Sequence, residues 1–173
     1  MIIYMDYPLE TFNFHQTPIE LCKLLIKYVP TEEGDICFEP FAGLNNFFNQ
    51  FPTNTVNVRT ELRDGLDYTS YKENPDWIIT NPPFCLNIGD KRVNAFIFLL
   101  EYFMNITTKG IAFLVNQKCF NSLTPKRLTA YNKNNWYIQK IVICNVKIWF
   151  GRYYFIIFEK KENKCIESIL GTF

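Results

Sequence analysis

Histidine is almost missing from this sequence of 173 residues, with His15 the only one. Zinc sites of the common Cys/His type and any Ser-His-Asp triad are thereby excluded, because both need imidazole at defined places. Cysteine occurs at Cys22, Cys37, Cys85, Cys119, Cys144 and Cys165, but never as a C-x-x-C pair. A chain of this size does not need disulfide staples, so reduced thiols and an intracellular setting are expected. The opening Met1-Ile2-Ile3-Tyr4-Met5-Asp6 lacks the basic flank and long apolar core of a secretion signal, which makes the cytoplasm the expected location. No apolar run suits a bilayer: the richest, 93–104, is interrupted by Glu101 and falls short of the roughly 20 residues that a membrane span requires. Neither a membrane partner nor a metal is expected. Low-complexity tracts, Gly/Ser linkers and repeats are also lacking. With 48% hydrophobic residues, the chain reads as one domain, 1–173, with a sizeable core.

The net charge of +1 hides a division along the chain. Residues 1–101 carry fourteen Asp/Glu against seven Lys/Arg, a balance of −7, whereas residues 102–173 carry three Glu against eleven Lys/Arg, a balance of +8. Such asymmetry points to an acidic partner, nucleic acid above all, for a surface built from the second part. The abundance of Asn, Ile, Phe, Tyr and Lys is consistent with an AT-rich genome, such as that of a virus or phage.

Apolar runs alternate between two periods. Thr17-Pro18 ahead of Ile19-Glu20-Leu21-Cys22 predicts a capped helix start with proline in its first turn. Strands are expected at 35–38, 55–59, 76–80, 110–115, 138–146 and 153–160, with helices over 45–51, 93–106 and 122–131. Strands alternating with helices argue for a mostly parallel sheet with helices on both faces, and the last two strands, close in sequence, must be antiparallel.

The chemistry concentrates behind the third strand. Ligands of open α/β sheets bind beyond the carboxyl ends of the strands, where Asn81-Pro82-Pro83-Phe84 falls. Two prolines fix φ and remove backbone donors, so this loop is stiff and offers acceptors. The Asn81 amide oxygen and the Pro82 carbonyl can hold the two N–H groups of a planar amine, and Phe84 supplies a flat face for an extruded base. Basic and aromatic residues follow the later strands: Lys118, Lys126 and Arg127 after the fourth, and Lys147, Trp149, Phe150 and Arg152 in the last turn. They would open on the same side as Asn81 and combine phosphate attraction with stacking surfaces.

Asp76-Trp77-Ile78-Ile79-Thr80-Asn81-Pro82-Pro83-Phe84 resembles the catalytic motif of S-adenosylmethionine-dependent amino-methyltransferases, in particular of the N6-adenine enzymes. Phe38-Glu39-Pro40-Phe41-Ala42-Gly43-Leu44-Asn45 is similar to the cofactor loop of that family, with Asn45 at the place of its second glycine. Phe14-His15-Gln16-Thr17-Pro18 resembles the segment ahead of that loop. The resemblance implies a Rossmann-like class I methyltransferase fold, with a seven-stranded, mostly parallel sheet, an antiparallel last strand and helices on both faces. It implies S-adenosyl-L-methionine as cofactor, held by Thr17, Pro18, Glu39, Pro40, Phe41, Gly43, Asn45, Glu61, Asp67 and Tyr68. Within that set Glu39 would face the amino-acid end, backbone amides from Gly43 onward at a helix start would suit the carboxylate, Glu61 would meet the ribose hydroxyls and Asp67-Tyr68 the adenine ring. Asn81, Pro82, Pro83 and Phe84 would be catalytic, with Lys118, Lys126, Arg127, Lys147, Trp149 and Arg152 along the nucleic acid. The activity implied is methyl transfer to the N6 amine of adenine in DNA or RNA, with target recognition coming from a partner subunit. Two alternatives stay open: a protein-glutamine N-methyltransferase, and an inactive subunit of a heterodimer that keeps the fold.

Overall fold

The computed structural model describes residues 16–88, 91–146 and 149–160. The helix expected after Pro18 is α1, Ile19–Ile26, but no side chain caps it. Its N-cap residue is Pro18, which has no side-chain acceptor, and the Thr17 hydroxyl before it accepts a hydrogen bond from the Asn81 amide nitrogen at 3.2 Å. Strand β1, Ile36–Glu39, follows. The helix expected over 45–51 is reduced to a single 3-10 turn at Phe48–Gln50. Its cause lies in the approach, where Gly43 (φ 54°) and Asn45 (φ 64°) both take left-handed backbone that an α-helix cannot contain, while Pro52 closes the other end.

Strand β2, Val56–Arg59, and β3, Trp77–Thr80, form where alternation and apolar density predict them. After the Pro-Pro loop comes an element that the expected helix at 93–106 had concealed, a hairpin of β4, Cys85–Ile88, and β5, Lys91–Asn94. It is closed at its base by the Ala95 N–H donating to the Phe84 carbonyl at 3.1 Å. Helix α2, Ala95–Ile106, therefore starts two residues late, capped by the Asn94 side chain on the Phe96 N–H at 3.0 Å. Strand β6, Gly110–Asn116, leads into a short helix α3, Gln117–Phe120. The helix expected at 122–131 is α4, Pro125–Lys133, delayed to Pro125 because proline at the first position suits a helix start and Thr124 caps it. Strands β7, Trp136–Cys144, and β8, Tyr153–Lys160, complete the main sheet.

That sheet has six strands among the described residues, not the seven expected, in the order β2-β1-β3-β6-β8-β7. Residues 60–76, between β2 and β3, fold into two 3-10 turns, too short a stretch for a further helix and strand, so among the described residues β2 stands at the edge. Strands β2, β1, β3 and β6 are mutually parallel, and β8 is antiparallel to both β6 and β7. Helices lie on both faces. On one, α2 and α4 bury Leu99, Phe103 and Leu128 against Phe38, Ile78, Phe113 and Ile156. On the other, α1 and the 3-10 turn press Cys22, Leu25 and Phe47 onto Cys37, Trp77, Leu114 and Phe155.

At the amino ends of the strands, buried Asp35 accepts from Trp77 Nε1 at 3.1 Å and pairs with Lys109 at 2.7 Å. Burial pushes the Asp35 carboxyl up, but the bonds from Lys109, the Glu32 N–H and Trp77 outweigh it and hold it below the usual aspartate range. A depressed carboxyl stabilises the fold above its unfolded pKa and loses that contribution as pH falls through the folded one. Lys109→Met is expected to cost about 1–2 kcal/mol, a value discounted because Lys109 is partly exposed. Urea unfolding at pH 7 and at pH 3 should show the difference shrinking with acid. Gly110→Ala is expected to cost more, roughly 2–3 kcal/mol. Its Cβ would overlap the Trp77 ring and stand 2.8 Å from the Phe158 carbonyl oxygen.

Candidate active site

Three segments converge at the carboxyl ends of β1, β2 and β3. The loop after β1 is zipped to the end of β2. The Thr60 N–H donates to the Glu39 carbonyl at 3.0 Å, the Ala42 N–H to the Thr60 carbonyl at 3.1 Å, and the Thr60 hydroxyl to the Pro40 carbonyl at 2.9 Å. Glu61 fastens the turn itself, accepting the Gly43 N–H at 2.6 Å on one oxygen and the Arg63 N–H at 3.2 Å on the other. The Asn45 N–H donates to the Ala42 carbonyl at 2.7 Å. The amides of Gly43 and Asn45 thus serve the chain's own acceptors, and no α-helix starts behind them. The expected helix-start site for a carboxylate is therefore not built.

Thr17 couples this loop to the Pro-Pro segment. It is 4% exposed, and its carbonyl accepts the Asn46 side-chain amide at 2.7 Å while its hydroxyl accepts from Asn81 Nδ2 at 3.2 Å. With the amide nitrogen turned to Thr17, the Asn81 oxygen is presented on the opposite edge. Pro18 is the N-cap residue of α1 rather than part of its first turn, and its carbonyl accepts the Cys22 N–H. Pro82 is buried and Pro83 half-buried, which makes the loop rigid. Phe84 packs against both apolar layers, so its ring is held in place.

On the α2 side an aromatic wall closes the region. Phe41 lies 5.3 Å from Tyr68, which also meets Tyr102 edge-on at 5.5 Å and Phe103 at 5.9 Å. Burial, then the Asp67 carboxylate, push the Tyr68 hydroxyl above its ordinary range. Asp67 itself caps the turn that carries Tyr68, accepting from the Thr69 N–H at 2.9 Å. Behind the loop, Glu39 is 2% exposed, and its Oε2 has no hydrogen-bond partner among the described residues. Burial pushes this carboxyl well above the ordinary glutamate range. The Phe48 N–H opposes that shift, Glu61 adds to it, and Arg59 lowers it.

The basic residues gather on the same end. Lys118, Lys126 and Arg152 are exposed, and the Gln117 N–H donates to the Arg152 carbonyl at 3.1 Å, which sets α3 beside the last turn. Arg127 is tied inward to the Ser122 carbonyl at 2.9 Å. Trp149 tilts onto Tyr153 with centroids 4.4 Å apart and packs on the core, whereas its neighbour Phe150 is 94% exposed. Lys147, and Phe14 and His15 of the first segment, lie outside the described residues. Two contributors escaped the sequence reading. Asn46 carries no local signal, while the hairpin had one in its Gly89-Asp90 dipeptide between short apolar runs.

No family model and no curated protein matches the chain. Solved structures do. An RNA methyltransferase assignment from Pyrococcus horikoshii superposes with TM-score 0.60 at 13% identity, over 90% of this chain and 92% of that one. A class I S-adenosylmethionine-dependent methyltransferase assignment from Listeria monocytogenes gives 0.58 at 18% identity, over 84% of this chain and 59% of that one. The M protein of the type I restriction enzyme EcoKI gives 0.55 at 12% identity, over 84% of this chain and 44% of that one. The chain thus has the Rossmann-like fold of class I methyltransferases, and it spans little more than half the length of the Listeria protein and less than half of the EcoKI subunit. Among the described residues no cluster of His, Cys, Asp or Glu could hold a metal ion, and no helix is long and apolar enough to cross a membrane.

Asn45 fills its place because asparagine tolerates φ near +60° better than other side chains. Asn45→Gly is expected to leave stability unchanged within a few tenths of a kcal/mol. Asn45→Ala should cost about 1 kcal/mol, since alanine pays the left-handed penalty without local compensation. Paired denaturant curves check the order, and equal midpoints for the two variants would refute it.

Proposed function

We propose that this chain transfers a methyl group from S-adenosyl-L-methionine to the N6 amine of adenine in a nucleic acid. The observation that carries the reading is the union of the Asn81-Pro82-Pro83-Phe84 loop with the loop after β1 through Thr17, at the carboxyl ends of adjacent parallel strands. The fold neighbours agree with it: one is assigned to RNA methylation, another belongs to a DNA restriction-modification system.

The residues present fit the cofactor. Glu39 offers a buried acceptor oxygen without a partner, whereas the amides of Gly43 and Asn45 are taken by Glu61 and Ala42 and offer the cofactor's carboxylate nothing. Glu61 keeps lone pairs for hydroxyl donors beyond its two backbone bonds, and the Phe41–Tyr68 wall offers an apolar flank for a purine. When bound, the cofactor supplies an already activated methyl group on a sulfonium, so the protein's task is positioning. Asn81 Oδ1 and the Pro82 carbonyl accept the two amine N–H groups and aim the nitrogen lone pair. The Thr17 bond prevents the Asn81 amide from turning its donor edge to the substrate. Phe84 provides the face against which the base lies. Lys118, Lys126 and Arg152 attract the phosphates on either side, and a partner subunit would add target recognition.

Asn81→Ala is expected to lower methyl transfer at least a hundredfold, the scale of losing one positioned acceptor, while calorimetric affinity for the cofactor changes little. Unchanged turnover would remove Asn81 from the chemistry. Lys118→Glu with Arg152→Glu should weaken nucleic-acid binding and reduce the slope of log K against log salt by roughly 1.5, as two lost phosphate contacts require. An unaltered slope would place that face away from the substrate. Labelled-methyl transfer assayed on DNA, RNA and a protein extract tests the substrate class, and label appearing on glutamine would move the activity to protein.

A further inference from the structure

Glu39 is a carboxyl of the candidate site for which the fold provides a single backbone N–H, that of Phe48. It sits at the end of β1 with 2% exposure, and Oε2 meets no donor among the described residues. The elements packed around it offer little compensation. From α1 comes the buried Cys22, whose thiol is pushed up to about 12, first by burial and then by Glu39 itself. From the end of β2 come Arg59, which is already paired with Asp64 at 2.7 Å, and Glu61, a like charge. On the other side β3 has no ionisable side chain from Trp77 to Asn81. The loop contributes one N–H, that of Phe48. An isolated buried carboxylate is costly, and the cheapest remedy is to keep the proton.

We infer that Glu39 is protonated in the ligand-free protein and gives up that proton when the ammonium of the cofactor's amino-acid end binds at Oε2. The inference rests on the cofactor reading given above. In the step, the Glu39 O–H bond breaks, the proton leaves to solvent, and the carboxylate formed accepts an N–H from the incoming ammonium, so one positive charge enters the site as another departs. The exchange explains how an uncompensated acid survives inside a small domain. It also makes the site selective, because a ligand without the ammonium has nothing to offer in exchange for the proton. Affinity for an ammonium-bearing ligand rises with pH while the free carboxyl still holds its proton, and levels off once that carboxyl ionises unaided.

The test is isothermal titration of the full chain with S-adenosylhomocysteine, which has the ammonium but no sulfonium, and with 5′-methylthioadenosine, which has neither. Each titration is run at one pH in buffers of different ionisation enthalpy, and repeated from pH 5 to pH 9. About one proton should be released per S-adenosylhomocysteine below the pH at which affinity levels off, and none with methylthioadenosine. Glu39→Gln mimics the protonated side chain and keeps its shape. It should abolish the release and weaken S-adenosylhomocysteine roughly ten- to hundredfold, the loss of one hydrogen bond to a charged group, while methylthioadenosine binds as before. Binding of S-adenosylhomocysteine with no proton released over the whole range, or release that persists in Glu39→Gln, overturns the proton exchange and leaves the cofactor reading intact. Failure of both ligands to bind overturns the two together.

Discussion

The joining of the two loops of the candidate site depends on one buried threonine. Thr17 has two oxygens, and each holds a different segment of the candidate site: its carbonyl takes the Asn46 amide of the loop after β1, and its hydroxyl takes the Asn81 amide of the loop after β3. Such bonds are each worth only about 1 kcal/mol net, but in a buried place an unmade one costs more, so the pair acts as a constraint rather than as a source of stability. The constraint gives the Asn81 amide one orientation. The start of α1 is uncapped for a separate reason, since its N-cap residue is Pro18, which has no side-chain acceptor.

The division of charge along the chain has a spatial counterpart. Acidic residues of the first part, Glu39, Glu61 and Asp67, cluster where β1 and β2 end, while exposed Lys118, Lys126 and Arg152 stand beyond β6 and β8. In the proposed reading a cationic cofactor and a polyanionic substrate approach from opposite sides of Asn81, each toward a surface of complementary sign. The acidic groups are unequally prepared for this. Glu61 accepts backbone N–H groups from the loop after β1 and from its own turn, and Asp67 accepts one from its own turn, whereas Glu39 is buried with an oxygen left over.

Among the described residues, the six strands of the main sheet and the added hairpin have a common logic. The segment 60–76 is spent on two turns that place Glu61 and Tyr68, which leaves β2 at the edge of the described sheet. The chain from Cys85 to Asn94 instead extends the Pro-Pro loop into a ribbon that returns to the start of α2. A two-stranded ribbon alone is marginal in water, so its anchoring at Phe84 and Ala95 matters.

By itself the sequence determined the central strands, the parallel order of the sheet core and the location of Asn81-Pro82-Pro83-Phe84. Dense apolar runs such as Trp77-Ile78-Ile79 have no stable alternative to burial on both faces, and two prolines end a strand wherever they occur. The same local logic made the start of α1 and the last antiparallel pair legible. What only the tertiary structure decided are the matters settled by contacts between distant residues. Asn46 and Thr17 are 29 positions apart, Thr17 and Asn81 are 64 apart, and no periodicity records either bond. The inward turn of Arg127, the packing of Trp149 in place of exposed Phe150, and the unmatched oxygen of Glu39 belong to the same class. Each depends on which side chain fits a shared space best, and that competition is set by residues that only the assembled sheet brings together.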